Sequence, residues 1–258
     1  MGVGYQESRT TGSNPDIIIK HKFQIAHKSY FKYTVDHNGK DKYVTNVNND
    51  HDVAAEKYAA ENGTGKGTYD TYLEYAGRSN VTALEEGVSG ELLPTFTQNK
   101  LNITKEDGKL IEQHLGQAEE NQTMMWKTVV SFSDEFLIEQ GLMDNADDRN
   151  LDQQAIKKVI QNAMPEMLAA EGLSDTAEWF GAIHLYGDNN KRHIHVHLAI
   201  FEPGQSARPD KFNPKTFKIE PKGTFKQKTL RSFKSKIWRG MLHDNNRQLE
   251  KELFMQRT

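Results

Sequence analysis

Histidines cluster in one short segment, with a spacing that suits a metal ion or a phosphate. Four of the ten histidines of the chain lie within residues 184–197. Three of them, His193, His195 and His197, alternate with apolar residues, so their side chains share one face of a strand. Neutral imidazoles grouped in this way are ready ligands for a divalent metal ion. The segment therefore predicts a metal or phosphate site, which His184 would approach from a neighbouring strand.

The residue types around these histidines leave two kinds of chemistry open. Cysteine is absent, which excludes thiolate zinc sites, disulfides and a cysteine nucleophile and fits a reducing cytoplasm. A water-activating hydrolase would need a carboxylate base near the histidines, and Asp188 or Glu202 are candidates. A strand-transfer enzyme would instead need an oxygen nucleophile that stays attached to its substrate. A tyrosine can serve in this way while a metal ion withdraws charge from a phosphate.

A β-hairpin is the element that would position the histidines. Residues Glu178–Tyr186 and Arg192–Phe201 have the composition of strands, and the Gly-, Asp- and Asn-rich segment 187–191 between them is typical of a turn. In the second strand the residues between the histidines are Ile194 and Val196, which would turn into a core. The histidine face would then look into a cleft or into solvent.

The other predicted elements indicate an α+β fold with an antiparallel sheet and flanking helices. We predict further strands at Ile17–Ile25 and 123–132. Helices are predicted over 104–121, 150–171 and 229–255. The first would begin with a capping box of Thr104 and Asp107, and Pro165 should kink or split the second. The sequence predicts helices on one side of the sheet and the metal cleft on the other.

Length and composition allow one large α/β domain or two small ones. The chain has 258 residues, of which 36% are hydrophobic and 27% charged, enough to bury a real core. We expect a flexible tail over residues 1–15, followed by one domain over 16–258 that ends in a long helix. No run of about 18 apolar residues is present, and the N-terminus lacks the features of a signal peptide. We therefore expect a cytoplasmic protein without membrane insertion.

Positive charge is concentrated near the C-terminus, although the net charge is −3. Between residues 207 and 239, only Asp210 and Glu220 oppose eleven basic residues: Arg208, Lys211, Lys215, Lys218, Lys222, Lys226, Lys228, Arg231, Lys234, Lys236 and Arg239. A basic segment on an otherwise acidic chain can bind phosphates. A solvated, lysine-rich loop and helix is an equally good interpretation of the charge pattern alone.

The histidine segment resembles the metal motif of MobL-type relaxases of the MobP class, within the HUH endonuclease superfamily. The motif is a Trp-, Ala- and Ile-flanked histidine, an Asp/Asn turn, then His-Val-His and Glu-Pro, with one residue of difference in spacing before Ala182. The matching residues are Trp179, Ala182, Ile183, His184, Asp188, Asn189, His195, Val196, His197, Ala199, Glu202 and Pro203. The resemblance implies that His184, His195 and His197 hold one Mg²⁺ or Mn²⁺ ion. His193 has no counterpart in the motif, and we expect it to be exposed.

Further matches in the family's order extend the resemblance over roughly residues 16–240 and point to a nucleophile. The family's catalytic tyrosine follows the first strand in a segment of the form Y-x-x-Y-I-x-R. Tyr30 and Tyr33 occupy this place, with Asp36 where the family has arginine. The resemblance therefore implies Tyr33 as the nucleophile, with Tyr30 second. Tyr72 and Tyr75 are expected to pack on the sheet or to stack on a base.

The activity implied by this resemblance is that of a relaxase, which nicks single-stranded origin-of-transfer DNA through a 5′-phosphotyrosyl intermediate for conjugative mobilisation. The implied partners are that DNA, with a hairpin, relaxosome accessory proteins and a coupling protein. Alternatives are a rolling-circle replication initiator, a catalytically idle DNA-binding module and a metal hydrolase of small phosphoesters. Stacking on bases is expected from Phe212, Phe217 and Phe225. The predicted DNA-binding residues are Lys211, Lys215, Lys218, Lys222, Lys226, Lys228, Arg231 and Lys234.

Overall fold

The strands predicted around the histidines lie inside a six-stranded antiparallel sheet. The computed structural model describes residues 4–8, 16–25, 68–79, 81–145, 151–186, 192–213 and 218–255. The strands of the sheet are β1 (Gly4–Ser8), β2 (Ile17–Ile25), β3 (Phe96–Thr97), β4 (Met124–Phe132), β5 (Glu178–Tyr186) and β6 (Arg192–Phe201). Their order across the sheet is β1-β2-β4-β6-β5-β3. A separate hairpin, which the sequence did not predict, consists of β7 (Asp210–Asn213) and β8 (Lys218–Pro221).

Helices cover both faces of the sheet. Within the described ranges they are α1 (Thr68–Ala76), α2 (Lys105–Glu120), α3 (Asp134–Glu139), α4 (Gln153–Glu171) and α5 (Gln227–Met255). The α+β prediction is confirmed, and so are the four predicted strands and the three predicted helices, with shifts of up to three residues at their ends. None of these helices combines the length and the apolar character needed to cross a membrane.

The alternation of side chains along the central strands produces two apolar faces. On one face, residues such as Trp126, Val130 and Val196 pack with α3, α4 and α5; we call it the α4/α5 face. The opposite side, the histidine face, carries Phe180 and Phe201, which pack with buried residues of α1 and α2. Helices were predicted on one side only, and this is wrong because α1 and α2 also have apolar surface to bury.

Two local signals in the helices have different outcomes. The capping box of α2 is confirmed, since the Thr104 side chain accepts from the Asp107 amide and the Asp107 carboxylate accepts from the Thr104 amide. In contrast, α4 runs through Pro165 as one helix, so of the two predicted alternatives, a kink or a split, the split is wrong. Proline leaves the carbonyl of Gln161 without its helical donor, and the side-chain amide of Gln98 donates to that carbonyl at 3.4 Å.

Part of the predicted tail is a strand. Gly4–Ser8 pairs with β2 in antiparallel register, from Gly4 opposite Phe23 to Ser8 opposite Ile19. The prediction of a flexible segment is wrong for these five residues, because an edge strand can be held by backbone hydrogen bonds alone and needs no apolar period. The remainder of residues 1–15 lies outside the described residues.

Candidate metal centre

The register of the central hairpin brings three histidines together. His184 on β5 lies directly opposite His195 on β6, and Ala182 lies opposite His197. One nitrogen of each histidine lies within 4.8 Å of the corresponding nitrogens of the other two. All three side chains are at most 1% exposed. The structure therefore unites the predicted trio His184, His195 and His197 in one buried cluster suited to a metal ion.

Hydrogen bonds on the outer side of the cluster determine which nitrogen of two histidines carries a lone pair. His195 Nδ1 lies 2.7 Å from the carbonyl oxygen of His193, and His184 Nε2 lies 2.8 Å from the carbonyl oxygen of Ala76. A carbonyl only accepts, so each of these nitrogens is the protonated one. The lone pairs of the neutral rings are then on His195 Nε2 and His184 Nδ1.

The closest approach inside the cluster fits a cation. His195 Nε2 lies 3.1 Å from His197 Nε2, a distance at which two lone pairs repel unless a proton or a metal ion lies between or beside them. Two ligands about 2.1 Å from an octahedral ion, at a right angle, are roughly 3.0 Å apart. Neutral imidazoles suit a transition-metal ion better than Mg²⁺, which prefers oxygen. The three side chains thus fit a divalent metal ion.

Two tyrosines of α1 form the wall of this centre. The hydroxyl of Tyr72 lies 3.1 Å from His197 Nδ1. The ring centroid of Tyr75 lies 5.6 Å from that of His197 and 5.9 Å from that of His184. Tyr72 and Tyr75 are 2% and 1% exposed, so their predicted packing on the sheet is confirmed and they offer no surface for a base. The sequence signal for this wall was the run of tyrosines at helical spacing in residues 69–75.

His193 lies outside the cluster, as expected. Its side chain is exposed, and its ring centroid lies 5.0 Å from that of His195. Its contribution to the centre is the backbone carbonyl that accepts from His195 Nδ1. A substitution of the side chain would leave that carbonyl in place.

Three lysines share the histidine face of the sheet. Lys20 of β2 pairs with Val129 of β4, and Val129 pairs in turn with His197 of β6. In the next row that projects to the same side, Lys22 of β2 pairs with Lys127 of β4. Paired residues of an antiparallel sheet project to the same side, so these lysines flank the histidines. The Lys127 ammonium lies 4.5 Å from the centroid of the Tyr72 ring. Sequence reasoning missed the set because its members are scattered along two strands.

The predicted DNA-binding residues of α5 lie on the other side of the sheet. Leu230 and Phe233 bury α5 on the α4/α5 face, whereas Lys226, Lys228 and Arg231 are exposed and Lys234 is half-buried. Burial lowers the pKa of Lys234, and Asp16 opposes that shift. The structure does not bring these residues to the histidines.

The rest of the basic segment divides into exposed and buried positions. Lys211 on β7 is exposed, Lys222 after β8 is half-buried, and Lys218 belongs to β8. Lys215, like Phe217, lies outside the described residues. Among the aromatic residues, Phe212 is 55% exposed. The prediction for Phe225 is wrong, because it is 1% exposed and packs on Trp126 with ring centroids 5.4 Å apart.

Arg208 is part of the protein's interior and not of a DNA-binding surface. Its guanidinium donates to a carboxylate oxygen of Glu171 at 2.7 Å and to the backbone carbonyls of Glu171, Lys222 and Thr224. It is 7% exposed. The prediction that the basic segment binds DNA from Arg208 onward is therefore wrong for this residue, since its donors join the end of α4 to the segment before α5.

Glu202, one of the two candidate bases for a hydrolase, has a structural role. Glu202 is fully buried and accepts at 2.7 Å from the hydroxyls of Thr176 and Ser206 and from the amide of Ala207. It follows the end of β6 that is remote from the histidines. Glu202 therefore holds the loop after β6 and does not serve as a base at the metal centre. Asp188, Tyr30 and Tyr33 lie outside the described residues.

Comparison with known proteins adds one match. A family model described as MobL relaxases matches residues 14–253, a span that contains the three clustered histidines and both candidate tyrosines. No curated protein and no solved structure shows a significant match to the chain.

Proposed function

The chain belongs to the MobL relaxase family, and from this premise we propose that it nicks single-stranded origin-of-transfer DNA at one site on one strand. The observation that supports the proposal is the buried three-histidine cluster inside the family match. Such a cluster can hold a divalent metal ion, which can assist a phosphodiester transesterification by withdrawing charge from the phosphate, and we propose Mn²⁺ or Mg²⁺ in this role. We place the protein, as part of the same proposal, in the MobP class and the HUH superfamily.

The proposed reaction exchanges one phosphate ester for another. The hydroxyl oxygen of a tyrosine attacks the scissile phosphorus, and the bond from phosphorus to the 3′ oxygen breaks. The tyrosine proton is lost and the departing 3′ oxygen gains one, so that the products are a 5′-phosphotyrosyl ester and a free 3′-hydroxyl. A bound divalent ion would supply positive charge for the phosphate oxygens. Rejoining needs no ATP because the number of phosphate esters is unchanged.

We propose Tyr33 as the nucleophile and Tyr30 as the second candidate, on the basis of their place after β2. Tyr72 is unsuited to the role, because its hydroxyl contacts the outer nitrogen of His197 and its ring is buried. The nucleophile must approach from the inner side of the cluster, where the lone pairs converge.

The DNA backbone next to the scissile phosphate would follow the histidine face, where the half-buried Lys20 and Lys127 lie beside the histidines. We propose that the exposed basic residues of α5 and of the β7–β8 hairpin contact DNA farther from the nick, with Phe212 stacking on an unpaired base. An origin hairpin, relaxosome accessory proteins and a coupling protein are the partners that this function requires.

The test is adduct formation. The full chain is incubated with Mn²⁺ and labelled single-stranded oligonucleotides from candidate transfer origins, and denaturing gels are run. We expect a protein–DNA adduct that is absent with EDTA and with Tyr33→Phe, and that persists with Tyr69→Phe, a control that removes the buried hydroxyl of Tyr69. An adduct that survives Tyr33→Phe but not Tyr30→Phe would identify Tyr30 as the nucleophile in place of Tyr33. Cleavage without an adduct, or binding without cleavage, would overturn the proposal in favour of a hydrolase or an idle DNA-binding module. An adduct restricted to replication-origin sequences would indicate a rolling-circle initiator.

A further inference from the structure

One helix contacts two of the three clustered histidines from the outside. The Tyr72 hydroxyl lies 3.1 Å from His197 Nδ1, and four residues later the Ala76 carbonyl oxygen lies 2.8 Å from His184 Nε2. The first contact comes from a side chain of α1 and the second from the backbone carbonyl at the C-terminal end of the same helix. The 125 residues that separate Tyr72 from His197 make this contact purely tertiary.

The two contacts place different constraints on which nitrogen of the imidazole carries the proton. The Ala76 carbonyl accepts only, which leaves His184 a single tautomer. A tyrosine hydroxyl both donates and accepts, so it allows either tautomer of His197. If Nδ1 is protonated and donates to Tyr72, the lone pair is on Nε2, which faces His195 Nε2 at 3.1 Å. That arrangement aims the lone pair of His197 into the cluster.

We propose that Tyr72 is a positioning residue: with a metal ion in the cluster, its hydroxyl accepts from His197 Nδ1–H and orients the ring so that Nε2 is the metal ligand. The inference rests on the proposed function only in taking the metal to be the one that the relaxase uses. A hydrogen bond to the outer nitrogen of a ligating histidine fixes its ring and tautomer and raises its basicity. Tyr72 therefore contributes to metal affinity without touching metal or DNA.

The competing interpretation is that Tyr72 is a core residue only. Its ring is 2% exposed, with the ring centroids of Tyr75 and Phe180 at 5.9 and 6.4 Å. Tyr72→Phe separates the two interpretations because it removes the hydroxyl and keeps the ring. Tyr69→Phe is the matched control: Tyr69 is on the same helix, is fully buried, and donates to the Thr123 carbonyl at 2.8 Å, remote from the histidines.

The first readout is the Mn²⁺ dissociation constant of the full chain, measured by calorimetry without DNA. We expect Tyr72→Phe to weaken Mn²⁺ binding by about 10- to 100-fold, the range for outer partners of metal ligands, and Tyr69→Phe to leave it within about 2-fold. Equal affinities for Tyr72→Phe and the wild type, or an equal loss in both variants, would overturn the proposal.

The second readout needs no variant at position 72 and therefore stands even if Tyr72→Phe does not fold. Long-range ¹H–¹⁵N spectra of the wild type loaded with diamagnetic Zn²⁺, which imidazole nitrogens bind readily, assigned with His197→Gln, report which nitrogen of His197 carries the proton. We expect Nδ1. Protonation at Nε2, or a mixture, would refute the assignment.

Failure of this inference and failure of the proposed function are distinguishable. An adduct with DNA but no effect of Tyr72→Phe on Mn²⁺ affinity would remove the inference alone. The expected Mn²⁺ and tautomer results without any adduct would remove the nicking function alone. A wild type that binds no Mn²⁺ would overturn the metal centre and the inference together.

Discussion

The two faces of the central sheet bury polar groups in opposite ways. On the α4/α5 face, the guanidinium of Arg208 is satisfied by Glu171 and three carbonyls, and the indole nitrogen of Trp126 donates to the Gly223 carbonyl at 2.6 Å. On the histidine face, the outer nitrogens are occupied and the inner nitrogens converge on one point. Saturated polar groups stabilise a fold, whereas convergent lone pairs make a site for a cation.

Charge is divided between the faces as well. The linear cluster of basic residues that dominates the sequence is mostly outside the histidine face: part of it is exposed on α5 and Arg208 is buried. The lysines beside the histidines come from β2 and β4, outside that linear cluster. The comparison teaches that local density of charge along the chain is a poor guide to the position of a binding surface.

The largest expected effect tests whether the Arg208 network is structural. Arg208→Met should lower the free energy of unfolding by about 3–5 kcal/mol, because it leaves the buried Glu171 carboxylate without its partner. Urea denaturation measures the change. The control is Lys236→Ala, which breaks the exposed ion pair with Glu166 and should cost at most about 1 kcal/mol. Loss of DNA binding by a stably folded Arg208→Met variant would contradict the structural role.

The second prediction tests whether the three clustered histidines bind the metal ion. His195→Ala should weaken Mn²⁺ binding by about 100-fold or more, since the loss of a ligand exceeds the loss of an outer partner, and should abolish the adduct. Calorimetry and denaturing gels give the two readouts. His193→Ala, on the same strand but with an exposed side chain, should change Mn²⁺ affinity by less than about 3-fold. Similar losses in both variants would mean that the cluster is not the metal centre.

A third prediction uses the buried histidine of the α4/α5 face. Burial lowers the pKa of His21 to about 3, with Glu171 opposing and Arg208 assisting the shift. Between pH 6.5 and 3 the unfolded chain binds a proton at His21 that the folded chain does not. Stability should therefore fall as the pH falls, by about 1.4 kcal/mol per pH unit from this residue. At pH 7 both states are neutral at His21, and no contribution is expected.

The measurement is urea denaturation of the wild type and of His21→Asn from pH 7 to pH 4. Asparagine retains a polar group near the Thr128 hydroxyl, which lies 2.8 Å from His21 Nδ1. The difference between the two proteins should shrink as the pH falls. A constant difference would show that His21 does not resist protonation in the folded state.

The smallest expected effect tests whether the scissile strand binds along the histidine face or along the α4/α5 face of the sheet. Lys20→Ala should lower the dependence of single-strand binding on salt by about 0.7 in log–log slope, as expected for one lost phosphate contact, and should slow adduct formation. Lys228→Ala should change the slope by no more than that amount and leave the nicking rate unaffected. Fluorescence anisotropy at several salt concentrations provides the slopes. A slower nicking rate from Lys228→Ala alone would place the scissile strand on the α4/α5 face.

Much of the histidine site follows from local rules. The period of two along residues 193–197 places three histidines on one face, and the turn before β6 predicts the pairing that brings His184 opposite His195. The capping box at Thr104 is also local, since its partners are three residues apart. Such features depend on contacts between near neighbours in the chain, which composition and spacing report directly.

The sequence by itself therefore determined the α+β class, the central hairpin and the trio of histidines. Only the tertiary structure decided that Tyr72 supports His197, that Lys20, Lys22 and Lys127 flank the site, and that α5 lies across the sheet from it. Those arrangements depend on which strands become neighbours and on which side each helix buries its apolar surface. The free energy that selects them is the burial of the whole core, which is shared among many residues and leaves no signature at any one of them.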